Sequence, residues 1–279
     1  MTNRGDITGT ERALVEEDGE RRVGPADEIT VSTLDRGLLY GDAVFETLRC
    51  YDGAPAFLGR HVSRLEEALD AARIDAEINP ATVQGYVDDL VDEGDAYVRV
   101  TVTRGKRDGL LGPTEDTPTV IVHAKPVGQR RYSPATVETV TEPRPVGIVG
   151  RHKTACYLPN IVARDEAESA DEAIMLAEDT VASGTVSNVF VVRDGAVETP
   201  ADRVRNGVTR EIVLDEARGR YETRIGEVTV EDADTVFLTN TTWGVRPVES
   251  FDGREYDTHP VVEELADAYL RRALESAGV

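Results

Sequence analysis

The stretch RHKTACYLPNIVARDEA, residues 151–167, decides the fold, because it contains the lysine around which the other motifs can be interpreted. The chain has 31 basic residues, and only Lys106, Lys125 and Lys153 among them are lysines. The others are arginines, which stay protonated near neutral pH and cannot act as amine nucleophiles. Covalent chemistry that needs an amine side chain therefore depends on one of these lysines.

Lys153 differs from the other two lysines in its neighbours. Lys106 lies in the charged turn RGKRDG, and Lys125 ends an apolar run just before Pro126, so both are predicted to be solvated. Lys153 follows a stretch of Gly and Val and opens a run of small and apolar residues that leads into a helix. A lysine desolvated in such a place loses its charge more readily and becomes a nucleophile. The alternative interpretation is an ordinary loop lysine before a helix.

The pattern Lys-x-x-x-Tyr-Leu-x-Asn, followed by Ala-Arg-x-Glu-Ala, resembles the cofactor-lysine segment of the class IV (fold type IV) aminotransferases, which depend on pyridoxal 5'-phosphate (PLP). That family holds branched-chain aminotransferases, D-amino-acid aminotransferases and 4-amino-4-deoxychorismate lyases. Further segments between about residues 30 and 250 resemble the family in the same order. The resemblance implies that Lys153 is the catalytic residue and holds PLP.

Two segments of the N-terminal half carry the resemblance further. Residues 34–49, LDRGLLYGDAVFETLR, predict a turn and a strand, and their Phe-Glu-Thr-Leu-Arg form is similar to the lyase branch. Residues 60–73 carry apolar side chains at helical spacing and predict an amphipathic helix. The His-x-x-Arg-Leu motif in it implies that Arg64 binds the cofactor phosphate, which suits a guanidinium fork. A solvated surface arginine is the alternative.

Residues 96–105, AYVRVTVTRG, alternate in polarity and predict a strand with one polar face. Thr-Arg-Gly resembles the lyase and D-amino-acid branches, whereas Tyr-Val-Arg resembles a substrate-binding triplet of the branched-chain branch. The stretch therefore leaves the substrate open, and for each arginine a surface position is the alternative. The candidate substrate-binding residues here are Tyr97, Arg99, Arg104 and Arg107.

The segment TVASGTVSNVFVV, residues 180–192, contains Gly-x-x-Ser-Asn-x-Phe, which resembles a strong family signature. One residue departs from it. Ser183 stands where the family usually has a glutamate that pairs with the pyridine nitrogen and makes the ring a better electron sink. A serine hydroxyl is expected to leave that nitrogen neutral, unless Glu178 or Asp179 substitutes.

The segment RNGVTR, residues 205–210, opens a predicted helix whose first N–H groups suit a phosphate. Ordinary capping by Asn206 is the alternative. The strand ending in NTT, residues 240–242, resembles the last phosphate-binding segment of the family. Tyr157 is either a core residue or a donor to the ring oxygen of the cofactor. The resemblance implies cofactor contacts from Arg64, Lys153, Tyr157, Ser183, Asn188, Val208, Thr209, Thr241 and Thr242.

Composition limits the partners. The net charge of −22 and the pI near 4.6 argue against nucleic acid and anionic membranes as partners. No apolar run approaches the roughly 20 residues of a membrane helix. Acidic excess with few lysines predicts a cytoplasmic, halophilic protein, since salt screens the repulsion. Two cysteines give no disulfide framework, and four histidines show no metal-ligand spacing, so we expect no metal.

The resemblance implies a two-domain α/β (α+β) fold with the cofactor between the domains. We predict a small N-terminal domain over residues 1–126, a linker over 127–134 and a larger PLP-binding domain over 135–279. Relatives are homodimers, so a homodimer is expected. The leading function is 4-amino-4-deoxychorismate lyase, which gives p-aminobenzoate, a folate precursor, and pyruvate. A branched-chain or D-amino-acid aminotransferase is the first alternative, and a catalytically weak PLP-binding protein, suggested by Ser183, is the second.

Overall fold

The computed structural model describes residues 10–106, 111, 117–178 and 180–279, and this part of the chain divides into two compact units. Unit 1 comprises the described residues up to Gln129, together with His152–Cys156 and Ala273–Val279. Unit 2 comprises Arg130–Arg151 and Tyr157–Arg272. The Lys153 segment thus belongs to unit 1, although the residues on both sides of it belong to unit 2. A division at one linker, as predicted from the sequence, does not capture these two returning segments.

Unit 1 is built on an antiparallel sheet. In the described residues the strand order is β2-β1-β6-β5-β3-β4. The elements are β1 (Arg12–Glu17), β2 (Glu20–Pro25), α1 (Arg36–Tyr40), β3 (Ala43–Tyr51), β4 (Ala54–Pro55), α2 (Leu58–Ala72), α3 (Pro80–Leu90), β5 (Ala96–Thr103) and β6 (Thr119–Pro126).

The alternation predicted for residues 96–105 is confirmed in β5 and decides which face of the sheet is covered. Val98, Val100 and Val102 are fully buried and pack in one cluster with apolar side chains of α2 and α3. The residues between them, Tyr97, Arg99 and Thr101, are only half-buried. Because side chains alternate across a strand, the opposite face of the sheet is left polar.

Unit 2 contains a mixed sheet, whose order in the described residues is β12-β11-β10-β13-β14-β7-β8-β9, with β15 paired to β14. Its strands are β7 (Ala135–Thr139), β8 (Glu172–Ala177), β9 (Thr180–Gly184), β10 (Asn188–Arg193), β11 (Ala196–Pro200), β12 (Thr223–Gly226), β13 (Thr235–Asn240), β14 (Gly244–Phe251) and β15 (Arg254–Glu255). The helices are α4 (Gly147–Arg151), α5 (Leu158–Glu166) and α6 (Val208–Arg218); α7 (Pro260–Ala277) begins in unit 2 and ends in unit 1.

The centre of unit 2 is apolar, with the rings of Phe190 and Phe237 stacked 4.8 Å apart on neighbouring strands. Two connections at the sheet carry the polar motifs. One is the turn between β9 and β10, and the other is the loop that runs from β11 into α6. In the part of the chain that the structure describes, no helix is long and apolar enough to cross a membrane.

Candidate active site

Lys153 is fixed to the beginning of β3 by backbone hydrogen bonds. Phe45 donates its N–H to the carbonyl oxygen of Lys153 at 2.7 Å, and Ala155 donates to the carbonyl of Ala43 at 2.8 Å. Val44 and Thr154 form an antiparallel bridge between these bonds. The segment therefore behaves as a short additional strand, and the half-buried Lys153 side chain starts from a defined backbone position.

The ring of Phe45 gathers two cations. The Lys153 Nζ atom lies 4.6 Å from the ring centroid, and the Arg99 Cζ atom lies 3.6 Å from the same centroid. Both distances fall within the range of cation–π attraction. Arg99 also donates from Nε to the Thr101 hydroxyl at 3.2 Å, which holds the guanidinium on the polar face of the sheet. The primary amine of Lys153 and the guanidinium of Arg99 thus lie beside the same aromatic ring.

Arg64 lies on α2 and is paired with a buried carboxylate. Its Nε and Nη2 atoms donate to the two carboxylate oxygens of Glu46, at 2.8 and 2.6 Å. The Nδ1 atom of buried His61 lies 3.3 Å from Glu46 Oε1. The charge of Arg64 is therefore already balanced by Glu46, and its contact with a cofactor phosphate stays a prediction.

The pKa values in this cluster have opposing causes. Burial alone raises the pKa of the Glu46 carboxyl, but the charge of Arg64 and the contacts with His61 outweigh it, and the pKa lies well below its usual value. Burial lowers the pKa of His61, and the attraction of Glu46 offsets this only in part. At neutral pH the cluster therefore holds an ionised Glu46 and a neutral His61.

The remaining candidates of unit 1 lie in different places. Arg104 donates to Asp42 Oδ2 at 2.9 Å and to the carbonyls of Ala72 and Arg73 at 2.9 and 2.6 Å, so it closes the C-terminal end of α2. Tyr97 lies beside Lys125, whose Nζ atom is 5.0 Å from its ring centroid. Arg107 lies outside the described residues.

Ser183 occupies β9 and is 2% exposed. Its Oγ atom has no hydrogen-bond partner among the described residues. Glu178, the proposed substitute for the missing carboxylate, is exposed and pairs with Arg203 at 3.1 Å, and Asp179 lies outside the described residues. The structure therefore offers a buried, unsatisfied hydroxyl where the family resemblance leads one to expect a glutamate.

The turn that follows Ser183 is organised by Glu172, a fully buried carboxylate. Its Oε1 atom accepts from the N–H and the hydroxyl of Thr185, and Oε2 accepts from the Val186 N–H at 3.2 Å and the Ser187 hydroxyl at 2.8 Å. A Cβ atom on Gly184 would lie 2.1 Å from Ser187 Oγ, so only glycine fits there. Glu172 thus fixes the turn that joins Ser183 to Asn188.

Asn188 and Tyr157 both contact Arg205, which lies just before α6. The Asn188 amide donates to the Arg205 carbonyl at 2.9 Å, and Arg205 Nη1 donates to the Tyr157 hydroxyl oxygen at 3.0 Å. Gly207 is the N-cap of α6 and supplies no side-chain cap to the N–H groups of the first turn. Asn206 is therefore not the N-cap residue, and the first turn of α6 suits an anion.

Four further candidates lie in unit 2, two at the start of α6 and two in the turn after β13. Val208 and Thr209 open α6 and are buried, and the Thr209 hydroxyl lies 3.4 Å from that of Tyr269. Thr241 and Thr242 are half-buried in the turn after β13, where Asn240 accepts the N–H of Trp243 at 2.7 Å. A cleft of unit 2, about 640 Å³, is lined by other residues, including Gly150, Arg151, Glu178, Asp202 and Arg203.

Several site residues were not singled out from the sequence. Phe45 and Glu46 stand in the quoted Phe-Glu-Thr-Leu-Arg segment, and His61 stands in the His-x-x-Arg motif, so the motifs contained them without revealing their roles. Glu172 precedes the apolar run of β8, where an acidic residue is unexpected in a buried strand. The described residues contain no group of three or more His, Cys, Asp or Glu side chains that could hold a metal ion.

We predict that His61 makes stability fall as the pH is lowered from 7.5 to 5.5. A histidine in the unfolded chain takes up a proton near pH 6.5. Buried His61 has a lowered pKa, so the folded state binds fewer protons below that pH and is destabilised by up to about 1.4 kcal/mol per pH unit. The midpoint of thermal unfolding, measured across this range, should fall less for His61→Gln than for the wild type.

The control is His123→Gln, which changes a partly exposed histidine that pairs with Glu11 at the surface. Glu46 adds no slope in this window, because its lowered pKa makes its contribution constant above about pH 4.5. Equal slopes for wild type and His61→Gln would contradict the neutral, buried state of His61.

Comparison with known proteins identifies the family to which this chain is similar. Residues 43–251 match the family model described as amino-transferase class IV. A protein of Methanocaldococcus jannaschii, provisionally named a branched-chain-amino-acid aminotransferase, is 33% identical over 84% of this chain and 86% of its own. The aminodeoxychorismate lyase of Bacillus subtilis is 31% identical over 82% of this chain and 84% of its own.

A solved structure agrees in fold. The branched-chain aminotransferase of Thermoproteus uzoniensis, crystallised with norvaline, superposes with a TM-score of 0.87 at 27% identity and covers 96% of both chains. The two named relatives have nearly equal identity and different activities, so they do not rank the substrates. Because the family model matches most of its length, residues 43–251, the chain belongs to the class IV aminotransferase family of enzymes.

Proposed function

We propose that this enzyme is a 4-amino-4-deoxychorismate lyase, which converts its substrate into p-aminobenzoate and pyruvate. The cofactor is PLP, as in the family as a whole. The single observation that carries the choice of reaction is the buried Ser183, whose Oγ atom has no partner among the described residues.

The residues present fit PLP. Lys153 supplies the amine that the aldehyde of the cofactor requires, and the uncapped first turn of α6, with Val208 and Thr209, supplies donors for its phosphate. The unsatisfied Ser183 hydroxyl supplies a neutral partner for the ring nitrogen. Tyr157, Asn188, Thr241 and Thr242 remain predicted contacts, and so does Arg64.

The character of the sheet face near Lys153 favours a substrate that carries carboxylates. Arg99 lies on the ring that also carries the Lys153 amine, and Tyr97 and Thr101 flank it on the same strand. Aminodeoxychorismate has two carboxylates, whereas a branched-chain amino acid ends in an aliphatic group. A guanidinium binds a carboxylate well and gains little from an alkyl chain.

When bound, PLP would supply an electron sink for the bonds of the carbon that carries the substrate amine. Lys153 Nζ would take the proton from the ring carbon that carries the substrate amine. The C–O bond on the neighbouring ring carbon would then break as the six-membered ring becomes aromatic, and the departing enolpyruvate would gain a proton to give pyruvate. Arg99 holds a substrate carboxylate and so orients the carbon toward the amine. Aromatisation supplies driving force, so the reaction tolerates a weaker electron sink than transamination does.

An aminotransferase is the second candidate function, and the placement of Tyr97 and Arg99 favours it. These residues form the Tyr-Val-Arg triplet that resembles the branched-chain branch, and both lie on the polar face of β5. Such an enzyme would pass the amino group of its donor to PLP and later to 2-oxoglutarate or pyruvate. The two functions differ in whether an amino donor alone changes the cofactor.

The first prediction about function uses the visible absorption of the bound cofactor to separate the two candidate activities. Purified protein with added PLP in concentrated KCl should show the visible band of bound cofactor, and that band should persist after addition of L-glutamate, L-leucine or D-alanine. A lyase does not release an aminated cofactor, so the spectrum stays unchanged until aminodeoxychorismate is supplied. Bleaching of the band by any of these donors would establish an aminotransferase instead.

Two lysine variants serve as controls for this measurement. Lys153→Ala should lose the visible band, because it removes the amine that is proposed to hold PLP and no other described lysine pairs with the start of β3. Lys125→Ala should keep it, since Lys125 contacts Tyr97 from β6. A Lys153→Ala protein with full activity would refute the assignment of the site.

A second prediction concerns Ser183. A carboxylate at this position would pair with the ring nitrogen and strengthen the electron sink, so Ser183→Glu should raise the half-reaction with an amino donor by at least about tenfold, or about 1.4 kcal/mol. Ser183→Gln is the matched control, because it has the same size without the charge. Stopped-flow absorption gives the rate, and an unchanged ratio of transaminase to lyase activity would count against the role given to Ser183.

We propose further that the enzyme is a homodimer, because α5 exposes an apolar face. Leu158, Ile161 and Val162 are 69, 60 and 46% exposed and share one side of this helix. Val186, 50% exposed, belongs to the turn whose Thr185 carbonyl accepts from Asn160 of the same helix at 2.6 Å. Solvent-exposed apolar groups in such a cluster mark a protein–protein contact.

The third prediction tests this face. Ile161→Glu should shift the mass measured by sedimentation equilibrium from that of a dimer toward that of a monomer, because a charge cannot be buried in an apolar interface. Ile225→Glu is the control, since Ile225 is 45% exposed on the edge strand β12, away from α5. An Ile161→Glu protein that stays dimeric would exclude this face from the interface.

A further inference from the structure

Two guanidinium groups converge on Tyr157 within unit 2. Arg205 Nη1 donates to the Tyr157 hydroxyl oxygen at 3.0 Å, and the Arg205 Cζ atom lies 5.7 Å from the centroid of the same ring. Arg144 is the second cation, since its Nε atom donates to the carbonyl of Arg203, two residues before Arg205, at 3.3 Å. Burial, together with repulsion from Arg205, lowers the pKa of Arg144 to about 10, so Arg144 remains charged at neutral pH.

Neither guanidinium is paired with a carboxylate of the described residues. Arg144 is 4% exposed and donates to two backbone carbonyls, those of Gly150 at 2.9 Å and Arg203 at 3.3 Å. The Arg205 Nε atom is buried and has no partner among the described residues. Two neighbouring positive charges in a partly buried place are costly unless an anion balances them.

We propose that Arg205 is a positioning residue for the bound cofactor: it fixes the Tyr157 hydroxyl, and with Arg144 it supplies the positive charge that the ring oxygen of the cofactor requires. The inference rests on the proposed PLP chemistry. Because Arg205 donates to the Tyr157 oxygen, the single phenol proton must be directed to another acceptor. A phenol that accepts from a cation is also a stronger donor than an isolated one.

The positive charge of Arg144 and Arg205 matters more because residue 183 is a serine. A carboxylate at residue 183 would stabilise positive charge on the ring nitrogen, but Ser183 is neutral. Positive charge near the ring oxygen also stabilises electron density on the ring, but it acts at the oxygen and not at the nitrogen. The Arg144–Arg205 pair would thus replace part of the electrostatic support that the family resemblance assigns to a glutamate.

The alternative role of Arg205 is a direct contact with the cofactor phosphate, because Arg205 lies two residues before the N-cap of α6. Pyridoxal, which lacks the phosphate, separates the two roles. A residue that acts on the ring oxygen through Tyr157 weakens PLP and pyridoxal equally, whereas a phosphate ligand weakens PLP alone.

The experiment measures the dissociation constants of PLP and pyridoxal for apo-protein in concentrated KCl, by absorption titration. Arg205→Met should weaken both ligands by about tenfold, the effect of one charge-assisted hydrogen bond. Arg205→Lys should recover part of the loss. Arg203→Met is the matched control, since the Arg203 side chain pairs with exposed Glu178 and should leave both constants unchanged.

A double-mutant cycle shows whether Arg205 acts through Tyr157. If it does, the double variant Arg205→Met/Tyr157→Phe should bind PLP no more weakly than Tyr157→Phe alone. Effects that multiply, a loss restricted to PLP, or an Arg205→Met protein with wild-type affinity for both ligands would each overturn the inference. Wild-type protein that bound no PLP would overturn the proposed function itself, which is a different result.

Discussion

The arrangement of the site depends on the backbone pairing between the Lys153 segment and β3. The hydrogen bonds of Phe45 with Lys153 and of Ala155 with Ala43 assign His152–Cys156 to unit 1, although unit 2 precedes and follows it in the chain. Both bonds involve backbone groups alone, so they fix the position of residue 153 whatever its side chain. The lysine is then placed by the strand, and the Phe45 ring on that strand gives its ammonium a partner and brings Arg99 to it. No local sequence pattern predicts that the Lys153 segment pairs with β3 as a short additional strand.

Two buried carboxylates, one in each unit, are satisfied in two different ways. Glu46 is balanced by the charge of Arg64, and the pair sits where helix α2 meets the sheet. Glu172 accepts hydrogen bonds from N–H and hydroxyl donors of one turn. Removing any partner from either group would leave a buried carboxylate unsatisfied, which costs more than the bond itself contributes. Both carboxylates therefore act as fixed points: Glu46 for Arg64, and Glu172 for the turn after Ser183.

The sequence predicted local structure where the pattern is periodic and local. The helix around Arg64, the alternation of β5 and the helix that follows residue 207 are confirmed, because each follows from spacing within a few residues. The short helix α4 in the Pro-rich approach to Lys153 was not predicted, nor was the return of residues 152–156 to unit 1, since that depends on pairing with residues about 110 positions away. The role of Arg205 was also hidden. Only the fold places its guanidinium against the hydroxyl of Tyr157, 48 residues earlier in the chain.

The serine at residue 183 and the cations Arg144 and Arg205 concern two different atoms of the cofactor ring. Ser183 is proposed to face the ring nitrogen, and the two arginines are proposed to act on the ring oxygen. A cofactor ring accepts electron density when positive charge is available at its nitrogen or at its oxygen. Unit 2 presents an uncharged hydroxyl from Ser183, and it gathers Arg144 and Arg205 around Tyr157. Arg144 is buried, Arg205 is half-buried, and neither pairs with a carboxylate of the described residues, so the two charges cost stability unless an anion balances them. Under the proposed PLP chemistry these two charges would balance an anionic ring, and Ser183 would change how the ring is charged rather than whether it binds.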